Sequence, residues 1–288
     1  MPFLDTLIQL ITRLGEELII FAVICIFYWC ISKGFAYRLG FTFFASGILV
    51  QGLKITCRIP RPWVIDPTFK PVDTAIEAAT GYSFPSGHTQ SATALYGTIA
   101  LVAKKTWVKI VALLAVVGVA FSRLYLGVHT YFDVGVSLVL TFAVALTVCS
   151  FYDAITDPKN VIKVSVGLAI LSVMLASYCF LLYKIGYCDP GQVDGCFKTG
   201  GAGLGFAIGY FIERRYVGFD PQEGSLPFQA IKFVIGVLGA LFFKSVLKMI
   251  LPELFIFDFI RYFLTIFWVV ALSPFLFTLF LKKRAKKA

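Results

Sequence analysis

Apolar segments long enough to cross a membrane follow one another along most of this sequence, and they restrict the fold more than any other feature. The hydrocarbon core of a bilayer is about 30 Å thick and is crossed by roughly 20 helical residues. Only 15% of the 288 residues are charged, whereas a soluble domain carries about 25%. Mean hydropathy is +0.85. The sequence therefore predicts an all-α, polytopic bundle of transmembrane helices.

The breaks between the apolar segments predict about nine crossings. They lie near residues 18–32, 35–53, 84–103, 106–122, 133–152, 161–183, 200–212, 228–250 and 257–281. The preceding segment, 3–14, repeats apolar residues at helical spacing, which is typical of an amphipathic helix in the membrane interface. The whole chain, 1–288, is expected to form a single membrane domain.

The distribution of charge predicts the orientation of the chain. The net charge of +10 falls on one predicted face, which includes the basic tail 282–287. An excess of Lys and Arg marks the cytoplasmic side, so we expect the C-terminus in the cytoplasm and the N-terminus outside. The loops 54–83, 123–132, 184–199 and 251–256 are then extracytoplasmic. The basic character needs no nucleic-acid partner.

Three polar patches lie on the predicted outer side. Charged residues are costly close to the hydrocarbon of a membrane, so their presence there indicates a functional role. The first contains Lys54 and Arg61, which are seven residues apart. Seven residues make nearly two helical turns, so both cations can lie on one helix face. The alternative is a pair of cations that merely extend to the interface.

The second patch is the sequence Pro85-Ser86-Gly87-His88 at the start of the third crossing. Gly87 permits close approach of a ligand to the backbone, and the amides at a helix start attract anions. Ser86 adds a hydroxyl donor. The alternative is an ordinary helix start that Ser86 caps.

The third patch contains Arg123, His129 and Asp133, between the fourth and fifth crossings. His129 and Asp133 are four residues apart, so a helix would place them on one face. A carboxylate that accepts from one imidazole nitrogen leaves the other nitrogen available for attack. The alternative is a buried pair that only connects two helices.

Together the patches hold both histidines of the chain and three cations at one predicted membrane face. This combination suits phosphoryl transfer. Cations neutralise the phosphate oxygens, one imidazole attacks phosphorus, and the other protonates the leaving oxygen.

The spacing K-x6-RP, PSGH and SR-x5-H-x3-D resembles the type 2 phosphatidic acid phosphatase superfamily. That superfamily includes lipid phosphate phosphatases, polyprenyl diphosphate phosphatases, glucose-6-phosphatases and vanadium haloperoxidases. All three motifs are complete and in family order. The resemblance covers about 35–155, which we take as the motif-bearing core, and leaves 156–288 as additional C-terminal spans.

The resemblance implies a role for each motif residue. His129 would attack phosphorus and form a phosphohistidine, Asp133 would orient it, and His88 would protonate the leaving group. The expected phosphate-binding residues are Lys54, Arg61, Arg123, Ser86 and Gly87. The resemblance implies no metal and no cofactor, and the sequence offers no cluster with metal-ligand spacing.

The implied function is hydrolysis of a lipid-linked phosphate or diphosphate at the extracytoplasmic face of the cell membrane. Undecaprenyl diphosphate, phosphatidate and phosphatidylglycerophosphate are candidate substrates. The alternatives are a glucose-6-phosphatase-like enzyme for a soluble sugar phosphate, a transporter and a vanadium haloperoxidase. The sequence does not specify the oligomeric state.

Two further patterns predict packing and covalent links. Gly201, Gly205 and Gly209 form overlapping small-xxx-small steps that favour close helix packing, and a phosphate-binding glycine loop is the alternative. Cys188 and Cys196 flank a polar turn in the predicted outer loop. A disulfide between them is feasible in an oxidising compartment, and two free thiols are the alternative.

Overall fold

The computed structural model describes residues 2–76 and 79–285, and every regular element among them is helical. The predicted all-α class is thus confirmed for these residues. Residues 286–288 of the basic tail lie outside the described part. The α-helices are α1 Pro2–Arg13, α2 Glu17–Ile26, α3 Lys33–Cys57, α4 Pro62–Ile65, α5 Asp73–Ile76, α6 Gly87–Ala92, α7 Thr98–Val102, α8 Thr106–Tyr125, α9 Tyr131–Ser150, α10 Tyr152–Thr156, α11 Val161–Lys184, α12 Pro190–Ile212, α13 Leu226–Leu241, α14 Leu247–Ile250, α15 Phe255–Phe267 and α16 Ser273–Ala285.

Short π-helical turns continue several of these helices instead of ending them. They lie at Phe27–Ile31, Thr93–Gly97, Glu213–Val217, Phe242–Val246 and Trp268–Leu272. The second of these joins α6 to α7, so the chain stays helical from Gly87 to Val102.

Six helical stretches in the described residues are long and apolar enough to cross a membrane. They are Lys33–Ile65, Thr106–Tyr125, Tyr131–Ser150, Val161–Lys184, Leu226–Ile250 and Phe255–Leu281. A seventh is possible if Leu4–Arg13 and Glu17–Ile31, which meet at a bend of 43°, form one span. Nine crossings and the proposed orientation therefore remain predictions.

The predicted crossings at 84–103 and 200–212 coincide with helices that do not meet these criteria. The helix from Gly87 to Val102 is shorter than a bilayer needs. The predicted crossing 200–212 coincides with the end of α12. Because α12 begins at Pro190, the predicted loop 184–199 is helical from that residue onward. Proline is common in the first turn of a helix because its missing N–H is not needed there.

Cys188 and Cys196 do not flank a turn in a loop, as the sequence predicts. Cys196 lies inside α12 instead of in a loop, and Cys188 precedes the helix. Both side chains are buried. The disulfide between them stays a prediction.

The glycines of α12 pack closely against a neighbouring helix, as their spacing favours. A Cβ atom on Gly201 or Gly205 would collide with the backbone of α15 at Phe259 or Phe263. Glycine at these positions therefore supports helix packing and not a phosphate-binding loop.

The chain divides into two compact units. The first comprises Met1–Phe21, Phe41–Ser150 and Leu181–Gly195, and the second comprises Ala22–Gly40, Phe151–Phe180 and Cys196–Ala288. All predicted site residues belong to the first unit. The single domain 1–288, its core at 35–155 and its additional spans at 156–288 stay predictions.

In the first unit, α6, α7, α8 and α9 pack against one another. The side-chain amide of Gln90 on α6 joins them to α3, because its Nε2 atom donates to Phe43 O at 3.2 Å and to Ser46 Oγ at 2.8 Å. These helices position the loop 126–130, which carries one of the two histidines.

Helix α1 coincides with the predicted amphipathic segment 3–14 and packs along α8. Its Ile8 side chain is buried with Ala75, Leu126 and Val128. Tyr125 of α8 donates a hydrogen bond to Asp5 at 2.9 Å. The exposed apolar residues are Leu4, Leu7 and Leu10 of α1 and Leu14 just after it. Its position in the membrane interface remains a prediction.

Candidate active site

The candidate active site lies in the first unit, where two helices end and two begin. Lys54 and Arg123 lie in the last turns of α3 and α8. His88 is the second residue of α6, and His129 precedes the start of α9 at Tyr131. The carboxyl-terminal ends of α3 and α8 therefore meet the amino-terminal ends of α6 and α9 at this site.

Direct contacts show that the three predicted patches converge. Arg61 Nη1 of the first patch lies 3.0 Å from His129 Nε2 of the third, and the Ser86 amide of the second donates to Asp133 O of the third at 3.1 Å. The charges of Lys54, Arg61 and Arg123 also act on both histidines. The structure therefore brings both imidazoles into one cationic pocket.

His129 lies between the carboxylate of Asp133 and the guanidinium of Arg61. Its Nδ1 atom lies 3.5 Å from Asp133 Oδ2, and its Nε2 atom lies 3.0 Å from Arg61 Nη1. The hydroxyl of Ser83 lies 3.4 Å from Nδ1. A proton on Nδ1, directed at Asp133, leaves the lone pair of Nε2 on the side of the cations.

Burial lowers the pKa of His129 well below its ordinary value, and the charges of Arg61, Lys54 and Arg123 lower it further. The hydrogen bond with Asp133 acts in the opposite direction. The imidazole is therefore neutral near pH 7, and a neutral imidazole is the form that can act as a nucleophile.

Asp133 accepts several hydrogen bonds besides its contact with His129. Its Oδ2 atom accepts from Ser83 Oγ at 2.5 Å and from the Thr130 amide at 2.8 Å. Its backbone carbonyl accepts from the Ser86 amide at 3.1 Å. Asp133 thus connects the third motif to the second.

Arg61 is positioned by three backbone carbonyls. It donates to Val128 O at 2.9 Å, to Thr80 O at 2.7 Å and to Gly81 O at 3.1 Å. The side chain is buried, so it does not simply extend to the interface. Carbonyl dipoles alone do not neutralise its charge, and an anion beside it would be favourable.

Arg123 is also buried, and a side chain of α1 positions it. Its Nη1 atom donates to Thr12 Oγ1 at 2.9 Å. Its buried Nε atom has no hydrogen-bond partner within the described part of the chain. A buried donor of this kind is satisfied when a phosphate oxygen binds. Lys54 donates from Nζ to Tyr82 O at 3.0 Å.

The second motif forms a helix start with free space in front of it. Ser86 caps α6, accepting from the Thr89 amide at 3.4 Å and from its hydroxyl at 3.0 Å. Its own hydroxyl proton is therefore not consumed by these contacts. A Cβ atom on Gly87 would meet no atom within 4 Å. This space adjoins the start of the helix, where backbone amides attract an anion.

Comparison with known families agrees with the motifs. The model described as the PAP2 superfamily matches residues 35–157, and the model described as the PAP2 superfamily phosphatase transmembrane extension matches residues 197–286. The two matches together cover most of the chain. The chain belongs to the PAP2 superfamily. The predicted resemblance is thus confirmed, and the chain is a multi-pass membrane protein.

One similar curated protein is a dihydrosphingosine 1-phosphate phosphatase of Schizosaccharomyces pombe. It is 27% identical over 189 residues, which are 62% of this chain and 44% of the relative. The match thus spans less than half the length of that relative. No solved structure matches this chain.

Three further residues of this PAP2 protein contact the site residues and were not predicted from the sequence. Ser83 contacts both His129 and Asp133, Thr130 donates its amide to Asp133, and Thr12 holds Arg123. Ser83 shortly precedes the second motif and Thr130 directly follows His129. This closeness in sequence was the only indication that they belong to the site. Thr12 lies four residues after Ile8 on the buried face of α1, and a polar residue on that apolar face was a signal.

The described residues contain no group of three or more His, Cys, Asp or Glu side chains that could hold a metal ion. Independence of metal and of other cofactors remains a prediction for this PAP2 protein.

We expect Thr12→Val to lower kcat/KM by about tenfold to a hundredfold, because a hydrogen bond to a buried charged group contributes about 1.5–3 kcal/mol. Thr12→Ser keeps the hydroxyl and serves as the matched control. The measurement is steady-state phosphate release by the two purified variants. The loss should fall mainly on KM, since Arg123 would bind the phosphate. Equal kinetics of the valine variant and the wild type would show that Thr12 does not position Arg123.

Proposed function

We propose that this protein is an integral membrane phosphatase that hydrolyses a lipid-linked phosphate through a phosphohistidine intermediate. The observation that carries the proposal is the environment of His129. The imidazole is buried and neutral, with Nδ1 towards Asp133 and Nε2 towards a pocket of three cations. Membership of the PAP2 superfamily supports the same reaction class.

The first step transfers the phosphoryl group to the protein. The lone pair of His129 Nε2 attacks phosphorus, and the bond from phosphorus to the alcohol oxygen of the lipid breaks. The negative charge of the bound phosphate favours protonation of His88, which donates its proton to that oxygen, so the lipid leaves as a neutral alcohol. Lys54, Arg61 and Arg123 balance the charge of the phosphate oxygens during transfer.

The second step restores the enzyme. Neutral His88 accepts a proton from water as the water oxygen attacks phosphorus, and the bond between phosphorus and Nε2 breaks. Inorganic phosphate leaves, and His88 is again protonated. The carboxylate of Asp133 stabilises the positive charge that the phosphorylated imidazole carries between the two steps.

The proposed substrate is a lipid phosphate, and the name of the S. pombe relative supports a long-chain base phosphate among the candidates. The proposed location is the cell membrane, with the site on the extracytoplasmic side, because the excess of Lys and Arg lies on the other predicted face. A soluble sugar phosphate is the second candidate, since the sequence pattern predicts nine crossings with the N-terminus outside, an arrangement that resembles glucose-6-phosphatase.

The purified full chain in detergent should release phosphate from a lipid phosphate, with vanadate inhibiting and EDTA having no effect. The panel should include a sphingoid-base 1-phosphate, phosphatidate, undecaprenyl diphosphate and glucose 6-phosphate. Vanadate inhibits because it is a phosphate analogue that can bind the same cations. Loss of activity in EDTA would contradict a metal-independent reaction, and a preference for glucose 6-phosphate over every lipid would favour the sugar phosphate.

A further inference from the structure

Two arginine side chains of the second unit lie against the short helix α10. The guanidinium carbon of Arg38, on α3, lies 3.4 Å from the centre of the Tyr152 ring. Arg214, just after α12, donates from Nη2 to Thr156 O at 2.6 Å. Tyr152 and Thr156 are the two ends of α10, so the arginines contact α10 about one helical turn apart. Both of their charges act on the phenol of Tyr152.

The second unit provides no ion pair for these two arginines. No carboxylate among the described residues pairs with Arg38 or Arg214. The acid next to Arg214 in sequence, Glu213, is already occupied. It accepts from three other donors, which are Lys33 Nζ at 2.7 Å, the Phe219 amide at 2.9 Å and the Tyr37 hydroxyl. Two neighbouring positive charges are unfavourable unless an anion lies between them.

The contacts of both arginines leave N–H donors available for such an anion. Stacking on Tyr152 uses the flat face of the Arg38 guanidinium and leaves the N–H groups at its edge. The Nε atom of Arg214 is buried and has no hydrogen-bond partner within the described part of the chain. Two guanidinium groups held in fixed positions are well suited to bind a phosphate.

A glycine of α3 lets α10 approach closely enough to form this arrangement. A Cβ atom on Gly34 would lie 2.9 Å from the Tyr152 hydroxyl and 4.0 Å from Arg38 Nη1. A side chain at this position would therefore displace Tyr152. The stacked position of Arg38 thus depends on the packing of α3 against α10.

The site lies where long apolar helices begin and end. Helix α3 begins at Lys33, and residues 151–160 connect the candidate spans Tyr131–Ser150 and Val161–Lys184. The headgroups of a bilayer lie at this level, just outside the hydrocarbon core. The charge distribution predicts that this face is cytoplasmic, where anionic lipids give the membrane a negative surface potential. A headgroup phosphate is therefore favoured over free phosphate as the anion.

We propose that Arg38, Tyr152 and Arg214 form a binding site for the phosphate group of an anionic membrane lipid. The two guanidinium groups donate to the phosphate oxygens, and Tyr152 holds Arg38 in place. The site is separate from the candidate active site, because its residues belong to the second unit. It does not depend on the proposed hydrolysis, and the phosphate bound there is not transferred.

The test is native mass spectrometry of the purified full chain in an uncharged detergent. The ligands are phosphatidylglycerol, phosphatidylcholine and inorganic phosphate. Phosphatidylglycerol is anionic, and its phosphate is a diester that the proposed reaction does not use. We expect its Kd to be about tenfold or more below that of zwitterionic phosphatidylcholine. Arg38→Gln combined with Arg214→Gln should raise the Kd of phosphatidylglycerol by about tenfold or more, because it removes the charge-assisted hydrogen bonds.

The matched control is Arg215→Gln, which removes the same charge at the adjacent, exposed position. It should change the Kd by no more than about twofold, as expected for a surface charge. Arg38→Lys combined with Arg214→Lys keeps both charges but loses the planar donors, and it should raise the Kd by about threefold or more.

Two results would overturn the site. One is equal binding of the two lipids by the wild type, a comparison that does not require any variant to fold. The other is unchanged binding of phosphatidylglycerol in the double glutamine variant. Binding of inorganic phosphate that depends on the two arginines, without binding of phosphatidylglycerol, would overturn the lipid as the ligand.

Discussion

Replacing His129 with alanine should lower kcat by about a thousandfold or more. Loss of the nucleophile removes the covalent route, and removal of a nucleophile from a comparable hydrolase costs up to about 10⁶ in kcat. The remaining cations still bind phosphate, so KM should change much less. The measurement is phosphate release from a lipid phosphate, together with rapid quenching to trap the phosphorylated protein. The wild type should form this species and the alanine variant should not.

His88→Ala provides the informative comparison for that experiment. His88 would protonate the leaving oxygen, so its loss should slow release of a lipid alcohol more than release of p-nitrophenolate, which is a good leaving group without a proton. His129→Ala should affect both substrates equally. An alanine variant at His129 that retains more than about a tenth of wild-type turnover would contradict its role as nucleophile.

Asp133→Asn should lower kcat by about 10² to 10⁴, by analogy with the loss of the orienting carboxylate in a catalytic triad. Asn is nearly isosteric, and its carbonyl oxygen can still accept from Ser83 and Thr130. However, it carries no charge to stabilise the phosphorylated imidazole, and its amide group can present a donor to Nδ1. The phosphoenzyme should therefore form slowly, which rapid quenching measures directly.

The matched control for this change is Asp153→Asn, which alters an exposed carboxylate on α10 outside the site. It should leave kcat unchanged. If Asp133→Asn keeps wild-type kcat while the protein remains folded, the contacts of Asp133 serve only to join α9 to the second motif.

The site could be anticipated from sequence because its residues fall into three short motifs. Within each motif the spacing is local, as for His129 and Asp133 one helical turn apart. The structure places these motifs together and adds that Arg61 is held by carbonyls of two separate loops. Such carbonyls have no sequence signature, since every residue has one.

Contacts between distant segments account for what the sequence did not reveal. Thr12 and Arg123 are 111 residues apart, and no spacing rule connects them. Hydropathy placed a loop at 184–199 because the first turns of α12 contain charged residues such as Asp194 and Lys198. Polar residues do not prevent a helix, however, and Pro190 supplies a favourable start. Because helices such as α12 extend through polar sequence, the ends of helices and the number of crossings cannot be obtained from hydropathy alone.

The contact between Thr12 and Arg123 also has a consequence for biosynthesis. Ribosomes add about 5–20 residues per second, so the 111 residues that separate the two partners take roughly 6 to 22 seconds to make. During that interval α1 has no α8 to pack against. Assembly of the predicted phosphate pocket is thus a late event, because α1 can dock only after α8 has been made.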